Sequence, residues 1–387
     1  MKFLHTSDWH LGQSLYGYDR CSEGADMLRQ LAAIVADEQP DALVVAGDVF
    51  HTAMPSSRAQ HTYVNGMLAL HEACPAMSIV VIAGNHDSAA RLAAYGSLWR
   101  LAGVTIAATA ADAMAAVEVP GALIVPVAYR HPSTLRDTAA AAIAAARDRA
   151  GNRPVIAVAH QAISGADYKG HYRQPYFDDA LSLAAAGLDG ADYVALGHIH
   201  RPQPVAGSSD RACYCGSPLP VHFDEATYVH GVDIVTIDGA GAVPTVTRRP
   251  IAAPVPLLTV PDDPVAIDDA IEAMRALPNE PCYVRLNVAT SERWLPGDAK
   301  TRAGDVAREA GIDDDGLPIK RFCEFAVTHT GATAAAPAAV TTSIASLTTM
   351  EPVEAARRFL EHKGMEPLSP DELAIFQSLN IDSNTHQ

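Results

Sequence analysis

Residues 78–87 read Ser-Ile-Val-Val-Ile-Ala-Gly-Asn-His-Asp, an apolar run that stops at a glycine and three polar side chains. Short uninterrupted apolar runs are typical of strands buried on both faces of a sheet. Residues 41–46 form a similar run, which ends at Gly47 and Asp48, and the helical spacing of apolar residues over 57–72 lies between the two runs. This strand–helix–strand alternation indicates an α/β core.

The same alternation continues through the first 200 residues. Apolar runs predict strands over residues 2–5, 41–46, 78–83, 104–107, 122–127, 155–159 and 193–196. Helical spacing predicts helices over residues 22–38, 57–72, 89–101 and 135–150. Strands over 212–215, 232–237 and 243–248 then follow with no helix between them. We expect these later strands to pair antiparallel and to add a second sheet.

Polar side chains stand at or near the ends of five of these strands. The five motifs, in chain order, are Asp8-Trp9-His10, Gly47-Asp48, Gly84-Asn85-His86-Asp87, His160 and Gly197-His198-Ile199-His200. In an α/β sheet the carboxyl ends of the strands form the crevice where ligands bind. Each motif alone is more often a turn or a hydrogen-bonded histidine, but packing does not explain five strand ends that all carry Asp, Asn or His.

These residue types predict a site for divalent cations. Carboxylate, amide and imidazole groups bind Mn²⁺, Fe²⁺, Zn²⁺ or Mg²⁺ rather than copper. The candidate ligands are Asp8, His10, Asp48, Asn85, His160, His198 and His200. Two ions would need one shared carboxylate, and Asp48 is the natural choice because Asp8 lies close to His10 in the chain. Two ions about 3.5–4 Å apart can supply a hydroxide and clamp a phosphate group.

His86 is not one of the candidate ligands, but it is adjacent in the chain to the candidate ligand Asn85. We expect His86 to reach the phosphate or the leaving group, and Asp87 to orient the ring of His86. Gly47 and Gly84 would let the backbone turn tightly beside the ions.

The second half of the chain divides by composition. Residues 251–258 are rich in proline, which suggests a boundary between a first domain over 1–250 and a small α+β domain over 259–330. For the small domain we predict helices over 263–277 and 299–310 and strands over 282–290 and 321–328. The uncharged residues 331–345 are predicted to form a linker. Residues 346–387 are predicted to form a C-terminal pair of amphipathic helices, over 352–362 and 370–381, that either binds a partner or docks back on its own chain.

The ordered motifs resemble those of the calcineurin-like metallophosphoesterase superfamily and, more closely, of the SbcD family of DNA-break-processing nuclease subunits. Residues 158–161, Val-Ala-His-Gln, lack the glycine that the family has before its histidine. The similarity extends over nearly the whole chain and is looser over 105–155 and beyond 255. The stretches that carry it are residues 4–12, 45–50, 83–88, 193–201, 214–220 and 223–225.

The resemblance implies a four-layer αββα sandwich with a small α+β capping domain. It implies metal-dependent hydrolysis of DNA phosphodiesters, usually with two Mn²⁺ ions. One ion would be held by Asp8, His10, Asp48 and His200, and the other by Asp48, Asn85, His160 and His198. His86 matches the family histidine that assists the transition state, and His51 matches a histidine that positions the phosphodiester in some relatives.

The resemblance also implies partners. The substrate would be DNA, cleaved as a 3′–5′ exonuclease on double strands and as an endonuclease on single strands or hairpins, in DNA repair, recombination and replication. The C-terminal helix pair would bind an SbcC-like ATPase of the SMC family. Relatives also dimerise through helices near the active site, so a homodimer within a heterotetramer is expected, with helices 57–72 and 89–101 as candidates.

Charge and cysteine content narrow the alternatives. The 387 residues carry 28 basic and 45 acidic side chains, a net charge of −17, which argues against a protein that holds nucleic acid by bulk charge alone. The six cysteines form no C-x-x-C pair and the N-terminal apolar stretch ends after Leu4, so we expect reduced thiols, a cytoplasmic protein and no membrane segment. The alternatives are a small-molecule or protein phosphoesterase and a non-catalytic scaffold. Residues 47–52, Gly-Asp-Val-Phe-His-Thr, do not match the Gly-Asp-x-Val-Asp-Arg-Gly motif of the protein phosphatases.

Overall fold

The structure is a computed structural model of the chain. It describes residues 1–94, 96–130, 132–164, 166–167 and 188–330, together with Val353, Glu354, Arg357, Leu360, Leu368, Ser369, Pro370 and Leu373. The linker predicted over 331–345 lies outside the described residues. The helix pair predicted over 346–387 also lies outside them, apart from those eight positions.

The first of two large sheets carries three of the five motifs. Its central strands β1, β4, β5 and β6 are parallel, and the antiparallel strands β13 and β14 extend it beyond β1. The strand bounds are Lys2–Thr6 for β1, Ala42–Ala46 for β4, Ser78–Ile82 for β5, Val104–Ala107 for β6, Gly231–Thr236 for β13 and Thr245–Pro250 for β14. A short hairpin of β2 (Ser14–Leu15) and β3 (Tyr18–Asp19) follows β1.

The second large sheet carries the other two motifs. Strands β8, β9, β10 and β12 are parallel, and the short strands β7 and β11 pair antiparallel at its two edges. The bounds are Val117–Val119 for β7, Ala122–Val127 for β8, Val155–His160 for β9, Tyr193–Gly197 for β10, Gln203–Pro204 for β11 and Ala212–Tyr214 for β12.

The two sheets face each other between helices, which makes four layers. Ile156 and Val158 of β9 face the first sheet, whereas the alternate residues Ala157 and Ala159 face the helices on the other side. This alternation follows from the two-residue period of a strand and explains why β9 is apolar throughout. The helices are α1 (Cys21–Glu38) and α2 (Ser57–Ala73) against the first sheet, α3 (Ala89–Ala93) and α4 (Gly96–Trp99) near β6, and α5 (Ala110–Met114) and α6 (Pro132–Ala150) against the second sheet.

The α/β sandwich expected from the motifs is confirmed, with three corrections. The sequence predicted that the strands after residue 210 would pair antiparallel and add a second sheet. Strands β13 and β14 instead extend the first sheet, and β12 pairs parallel with β10 in the sheet that holds β8 and β9. Strand β14 begins at Thr245 and not at Val243. The helix predicted over 89–101 is divided into α3, α4 and a 3₁₀ turn over Arg100–Ala102, because Gly96 disfavours an uninterrupted helix.

A third sheet is formed by residues 257–329. It consists of the parallel strands β15 (Leu257–Val265), β16 (Cys282–Thr290) and β17 (Lys320–His329), covered by α7 (Ile267–Ala276) and α8 (Ala299–Glu309). The sequence missed β15 because Pro261, Pro264 and two aspartates interrupt its apolar pattern, which an edge strand tolerates. Helix α7 consequently begins at Ile267, and the predicted start at residue 263 was wrong.

The third sheet contacts the sandwich through a buried polar group as well as an apolar patch. The hydroxyl of Tyr283 donates to Glu23 over 2.6 Å, and Arg20 binds the same carboxylate over 2.9 Å.

Within the described part of the chain, no helix is both long enough and apolar enough to cross a membrane.

Candidate metal centre

The five motifs meet at one edge of the sandwich. Asp8, Asp48 and Asn85 follow the carboxyl ends of β1, β4 and β5, which are parallel neighbours in the first sheet. His160 is the last residue of β9 and His198 follows β10 directly, in the second sheet. The strand order therefore brings residues far apart in the chain to a single rim.

The backbone at this rim is strained. Four of the seven candidate ligands have positive φ angles: 52° at Asp8, 45° at His10, 50° at Asp48 and 95° at His198. Side chains other than glycine rarely adopt this region, and each instance costs on the order of 1–3 kcal/mol. Backbone hydrogen bonds hold the strained residues, from the amide of Asp8 to the carbonyl of Gly47 and from the amide of His10 to the carbonyl of Asp48, both 3.0 Å long.

Glycine is required where two of the loops approach each other. A Cβ atom on Gly84 would overlap the carboxylate and backbone nitrogen of Asp48. A Cβ atom on Gly47, whose φ is 89°, would overlap the ring of His160. The two glycines therefore allow the loops to bring their ligand side chains within hydrogen-bonding distance of one another.

One group of donor atoms lies around Asp8. The Nε2 atoms of His10 and His200 are 3.1 Å apart, and Nε2 of His200 is 3.8 Å from Oδ1 of Asp8. Nε2 of His10 is also 3.8 Å from Oδ2 of Asp48. The ligand atoms of Asp8, His10 and His200 are close enough to share one cation.

A second group lies around Asn85. Oδ1 of Asn85 is 3.0 Å from Nε2 of His160 and 2.9 Å from Nδ1 of His198. Nε2 of His160 is 3.4 Å from Oδ2 of Asp48, so Asp48 lies between the two groups. The structure thus brings together all seven candidate ligands. Asp8, His10, Asp48 and His160 form a buried floor, and Asn85 forms an exposed rim.

The orientation of these donors fits divalent cations. Nδ1 of His160 donates to the carbonyl of Ala46 over 2.7 Å, and Nδ1 of His200 donates to the carboxylate of Glu225 over 2.8 Å. In the neutral form that binds a metal, both rings therefore direct their Nε2 lone pairs into the site, beside the buried carboxylates of Asp8 and Asp48. A cation shared by such facing donors offsets their mutual repulsion and the cost of burying the two charges.

The sequence of the chain matches known proteins over this region. The model of the Calcineurin-like phosphoesterase family matches residues 1–202, which contain all seven candidate ligands. The SbcD subunit of the SbcCD nuclease of Escherichia coli K12 is 32% identical over 319 residues, covering 76% of this chain and 79% of that protein. The chain belongs to the SbcD family of calcineurin-like phosphoesterases.

Two further SbcD proteins have a similar sequence identity to this chain. The protein from Bacillus subtilis strain 168 is 37% identical over 258 residues, covering 61% of this chain and 66% of that protein. The protein from Rhodobacter capsulatus is 32% identical over 319 residues, covering 73% of this chain and 77% of that protein. The family is one of metallophosphoesterases, so it implies divalent metal ions at the carboxyl edge of the two sheets.

In this phosphoesterase, His86 and His51 lie beside the ligand groups. The amide of His86 donates to Oδ1 of Asp48 over 2.9 Å, and Nδ1 of the His86 ring donates to the carbonyl of His51 over 2.8 Å. The rings of His51 and His86 stack with their centroids 5.6 Å apart. Nδ1 of His51 is 3.3 Å from Nδ1 of His10. Both histidines thus line the same cavity as the candidate ligands.

Asp87 differs from the expectation. Its carboxylate accepts from the backbone amides of Val49, Phe50 and Gly84, at 3.1, 2.9 and 2.9 Å. It therefore ties the loop after β4 to the loop after β5, whereas the His86 ring is oriented by the carbonyl of His51. Burial and the charge of Asp48 raise the pKa of Asp87 to about 6, although the three backbone donors oppose the rise.

The buried histidines and carboxylates of the metal centre change one another's pKa values. Burial disfavours the charged forms of His160 and His200, but the carboxylates of Asp48 and Glu225 outweigh it and raise the pKa of each histidine to about 9. Burial likewise opposes ionisation of Asp48, yet His160 holds the pKa of Asp48 well below its usual range. Burial lowers the pKa of His10, and it lowers that of His51 to about 4 with the help of His86.

Sequence reasoning missed two residues of the site. Glu225 lies in the stretch 223–225 that carries part of the family resemblance, but its contact with His200 is not visible in the sequence. Tyr129 follows β8, a sixth strand end at the same edge, and its ring stacks on His198 with a centroid distance of 6.3 Å. A search limited to metal ligands passes over a tyrosine.

Proposed function

We propose that this chain is the metal-dependent DNA nuclease component of an SbcCD-type complex. Its reaction is hydrolysis of DNA phosphodiesters, as a 3′–5′ exonuclease on double strands and an endonuclease on single strands or hairpins. The observation that carries the proposal is the convergence of seven nitrogen and oxygen donors beside His86, in a chain that is 32% identical to the SbcD protein of an SbcCD nuclease. Its biological setting is DNA repair, recombination and replication-fork maintenance.

We propose that the site holds two Mn²⁺ ions. Asp8, His10, Asp48 and His200 would hold one ion, and Asp48, Asn85, His160 and His198 the other. A mixture of carboxylate oxygens and imidazole nitrogens suits Mn²⁺ better than a purely hard or purely soft ion. When bound, such ions supply Lewis acidity toward a phosphate and a hydroxide at neutral pH.

The residues outside the ligand set have their own roles in this proposal. Nδ1 of His86 donates to the carbonyl of His51, so Nε2 is the atom that contacts the phosphodiester. In its imidazolium form the ring gives the Nε2 proton to the leaving oxygen and becomes the neutral Nδ1–H tautomer. His51 positions the phosphodiester from the mouth of the site. Asp87 acts through the backbone, since it fixes the loops that carry Asp48 and Asn85 relative to each other.

We propose that a DNA strand enters the cavity over the candidate metal centre. Its volume is about 370 Å³, and beyond the candidate ligands and His86 it is lined by Gln13, Leu15, Tyr16 and His222. Tyr16, which is 41% exposed at this lining, is the side chain that we expect to contact a nucleobase or sugar. A pocket closed around a small phosphate ester would have no need of this open side.

The partners follow from the same family assignment. We propose that residues 1–250 form the nuclease domain, 259–330 the capping domain, 331–345 a linker, and 346–387 the helix pair that binds an SbcC-like ATPase. With a net charge of −17, the chain alone would hold duplex DNA weakly, and the ATPase would supply the basic surface. The proposed location is the cytoplasm.

A second copy of the chain is the other proposed partner. Helices α2 and α4 line a largely apolar groove that includes Val64, Leu68, Leu98 and Trp99. Leu98 is 65% exposed, and Leu101 next to it is 86% exposed. Exposed aliphatic side chains clustered in this way mark protein interfaces, and we propose a homodimer through this groove within a heterotetramer.

The test of the function uses the purified full-length chain with Mn²⁺. We expect release of nucleotides from the 3′ ends of a linear duplex, and release that is slower by about 10²–10⁴-fold in the His86→Gln variant. His329→Gln is the control, because His329 is an exposed histidine at the end of β17. Hydrolysis of bis-p-nitrophenyl phosphate without hydrolysis of DNA would favour a small-molecule phosphoesterase. If the His86→Gln variant hydrolyses both DNA and the model ester as fast as the wild type, the assignment of the site is overturned.

A further inference from the structure

Glu225 is a buried carboxylate beside the metal centre but outside the seven candidate ligands. It is 3% exposed and ends a 3₁₀ turn over Phe223–Glu225. Its Oε1 lies 2.8 Å from Nδ1 of His200, and its Oε2 accepts the backbone amide of Val221 over 2.9 Å. Both oxygens are therefore used, each by one donor.

The contact with His200 decides which ring nitrogen is available to a metal. A carboxylate can only accept hydrogen bonds, so the proton of the imidazole is held on Nδ1. Nε2 then keeps its lone pair, and this atom faces Nε2 of His10 at 3.1 Å and Oδ1 of Asp8 at 3.8 Å. Glu225 thus fixes both the tautomer and the rotation of the ring.

The segment that carries Glu225 is itself held in place from two sides. A guanidinium nitrogen of Arg20 donates to the carbonyl of Pro220 over 2.7 Å, and the side-chain amide of Gln13 donates to the carbonyl of Val221 over 2.8 Å. Nε2 of His230 lies 2.9 Å from the carbonyl oxygen of Glu225. These bonds leave the carboxylate little freedom to follow a displaced ring.

The ring of His160 is also held by a hydrogen bond from Nδ1, but its acceptor is a backbone atom. Its Nδ1 donates to the carbonyl oxygen of Ala46, which no side-chain substitution removes. For His200 the corresponding acceptor is a side chain, so its contribution can be measured by mutation.

We propose that Glu225 is the positioning residue of His200, and that it sets the affinity of the metal site formed by Asp8, His10, Asp48 and His200. This inference rests on the proposed metal-dependent function. Hydrogen-bond partners behind a metal ligand commonly change metal affinity by about 10–100-fold when they are removed.

The variant Glu225→Gln tests the inference in the full-length chain. His200 and Val221 bind different oxygens of the Glu225 carboxylate, so the NH₂ group of glutamine replaces the acceptor of one of them. Titration of the metal-free protein with Mn²⁺ in a calorimeter should show one of two sites weakened by about 10–100-fold. Nitrogen-15 spectra of the histidine rings, recorded on the metal-free protein well above pH 9, where the ring of His200 is neutral, should show the proton of His200 on Nδ1 in the wild type and redistributed between the two nitrogens in the variant.

Asp192→Asn is the matched control for a purely structural effect. Asp192 is also buried, at 4% exposure, and accepts the backbone amides of Val155 and Gly241 over 2.8 and 2.6 Å. It precedes β10, at the opposite end of that strand from His198. We expect Asp192→Asn to lower the melting temperature by a similar amount, with wild-type Mn²⁺ affinity and an unchanged His200 spectrum.

Two results would overturn the inference: wild-type Mn²⁺ affinity in Glu225→Gln, or an equal loss of affinity in both variants. If Glu225→Gln does not fold, Glu225→Asp replaces it, because a shorter carboxylate keeps both acceptors but withdraws from His200. Wild-type Mn²⁺ affinity in Glu225→Asp would then overturn the inference. A wild-type protein that binds Mn²⁺ but does not cleave DNA would refute the proposed function and leave the affinity comparison intact.

Discussion

Nδ1 of His86 donates to the carbonyl oxygen of His51 over 2.8 Å, and this bond points Nε2 of His86 toward the cavity beside Asp48. A carbonyl oxygen can only accept a hydrogen bond, so Nδ1 of His86 must carry a proton. The neutral ring is therefore kept in its Nδ1–H tautomer. The nitrogen that faces the substrate is then fixed without any contribution from a neighbouring carboxylate.

His86→Gln should therefore lower DNA hydrolysis by about 10²–10⁴-fold, the usual contribution of a general acid or base. Metal content should not change, because the seven candidate ligands are retained. Nucleotide release from a linear duplex and metal analysis by mass spectrometry check the two halves of this prediction. Loss of both ions from the variant would contradict the role assigned to His86.

Asp87→Asn should mainly affect stability. An asparagine has one acceptor oxygen for three backbone donors, so at least one amide among Val49, Phe50 and Gly84 faces an NH₂ group. An unsatisfied donor of this kind costs about 1–3 kcal/mol, which urea unfolding can measure. Asp314→Asn, at an exposed position, is the control.

The same variant separates two explanations of the His86 orientation. If the carbonyl of His51 orients the ring, Asp87→Asn should keep more activity than His86→Gln. An activity loss as deep as that of His86→Gln, with wild-type stability, would instead favour the sequence-based expectation that Asp87 orients the ring.

Much of the fold was accessible from local patterns. Each apolar run followed by Asp, Asn or His indicates both a buried strand and the end of that strand, so β4, β5 and the motifs after them could be identified one at a time. The pairing of strands depends on contacts between distant residues, which is why β13 and β14 were assigned to the wrong sheet. The prolines of β15 conceal a strand for the same reason, since only its place at a sheet edge makes them acceptable.

Within the site, ligand types were visible in the sequence and supporting contacts were not. Asp8, His10 and Asp48 are recognisable only as members of a series, because five strand ends that all carry Asp, Asn or His are not explained by packing. Glu225 is separated from His200 by 25 positions and meets it only through the folded path of the chain. The bonds of Asp87 likewise depend on how closely the loops after β4 and β5 approach each other.

His5 should make the stability of the protein depend on pH. Burial lowers its pKa to about 3, against an ordinary value of 6.5. The unfolded chain then binds more protons than the folded chain between these values, so the contribution of His5 is complete above pH 6.5 and is lost as the pH falls toward 3. At pH 5 the expected loss of unfolding free energy is about 2 kcal/mol.

His5→Gln isolates this contribution. Glutamine does not titrate, yet it can replace the contacts of the ring with the hydroxyl of Tyr193 and the carbonyl of Leu196. Urea unfolding at pH 7 and at pH 5 should show a difference in unfolding free energy that is smaller by about 2 kcal/mol in the variant. Other titrating groups cancel in the comparison. An identical pH dependence in the two proteins would show that His5 is protonated in the folded state.

Leu98→Glu should dissociate the proposed homodimer. Leu98 lies in the groove between α2 and α4, and a second copy seated there would force the new carboxylate out of water. Sedimentation velocity should show a monomer for this variant at concentrations where the wild type is a dimer. Val243→Glu is the matched control, because Val243 is 67% exposed against 65% for Leu98 and lies between β13 and β14, outside the groove. A monomeric wild type, or a dimer that Leu98→Glu leaves intact, would place any self-association elsewhere on the molecule.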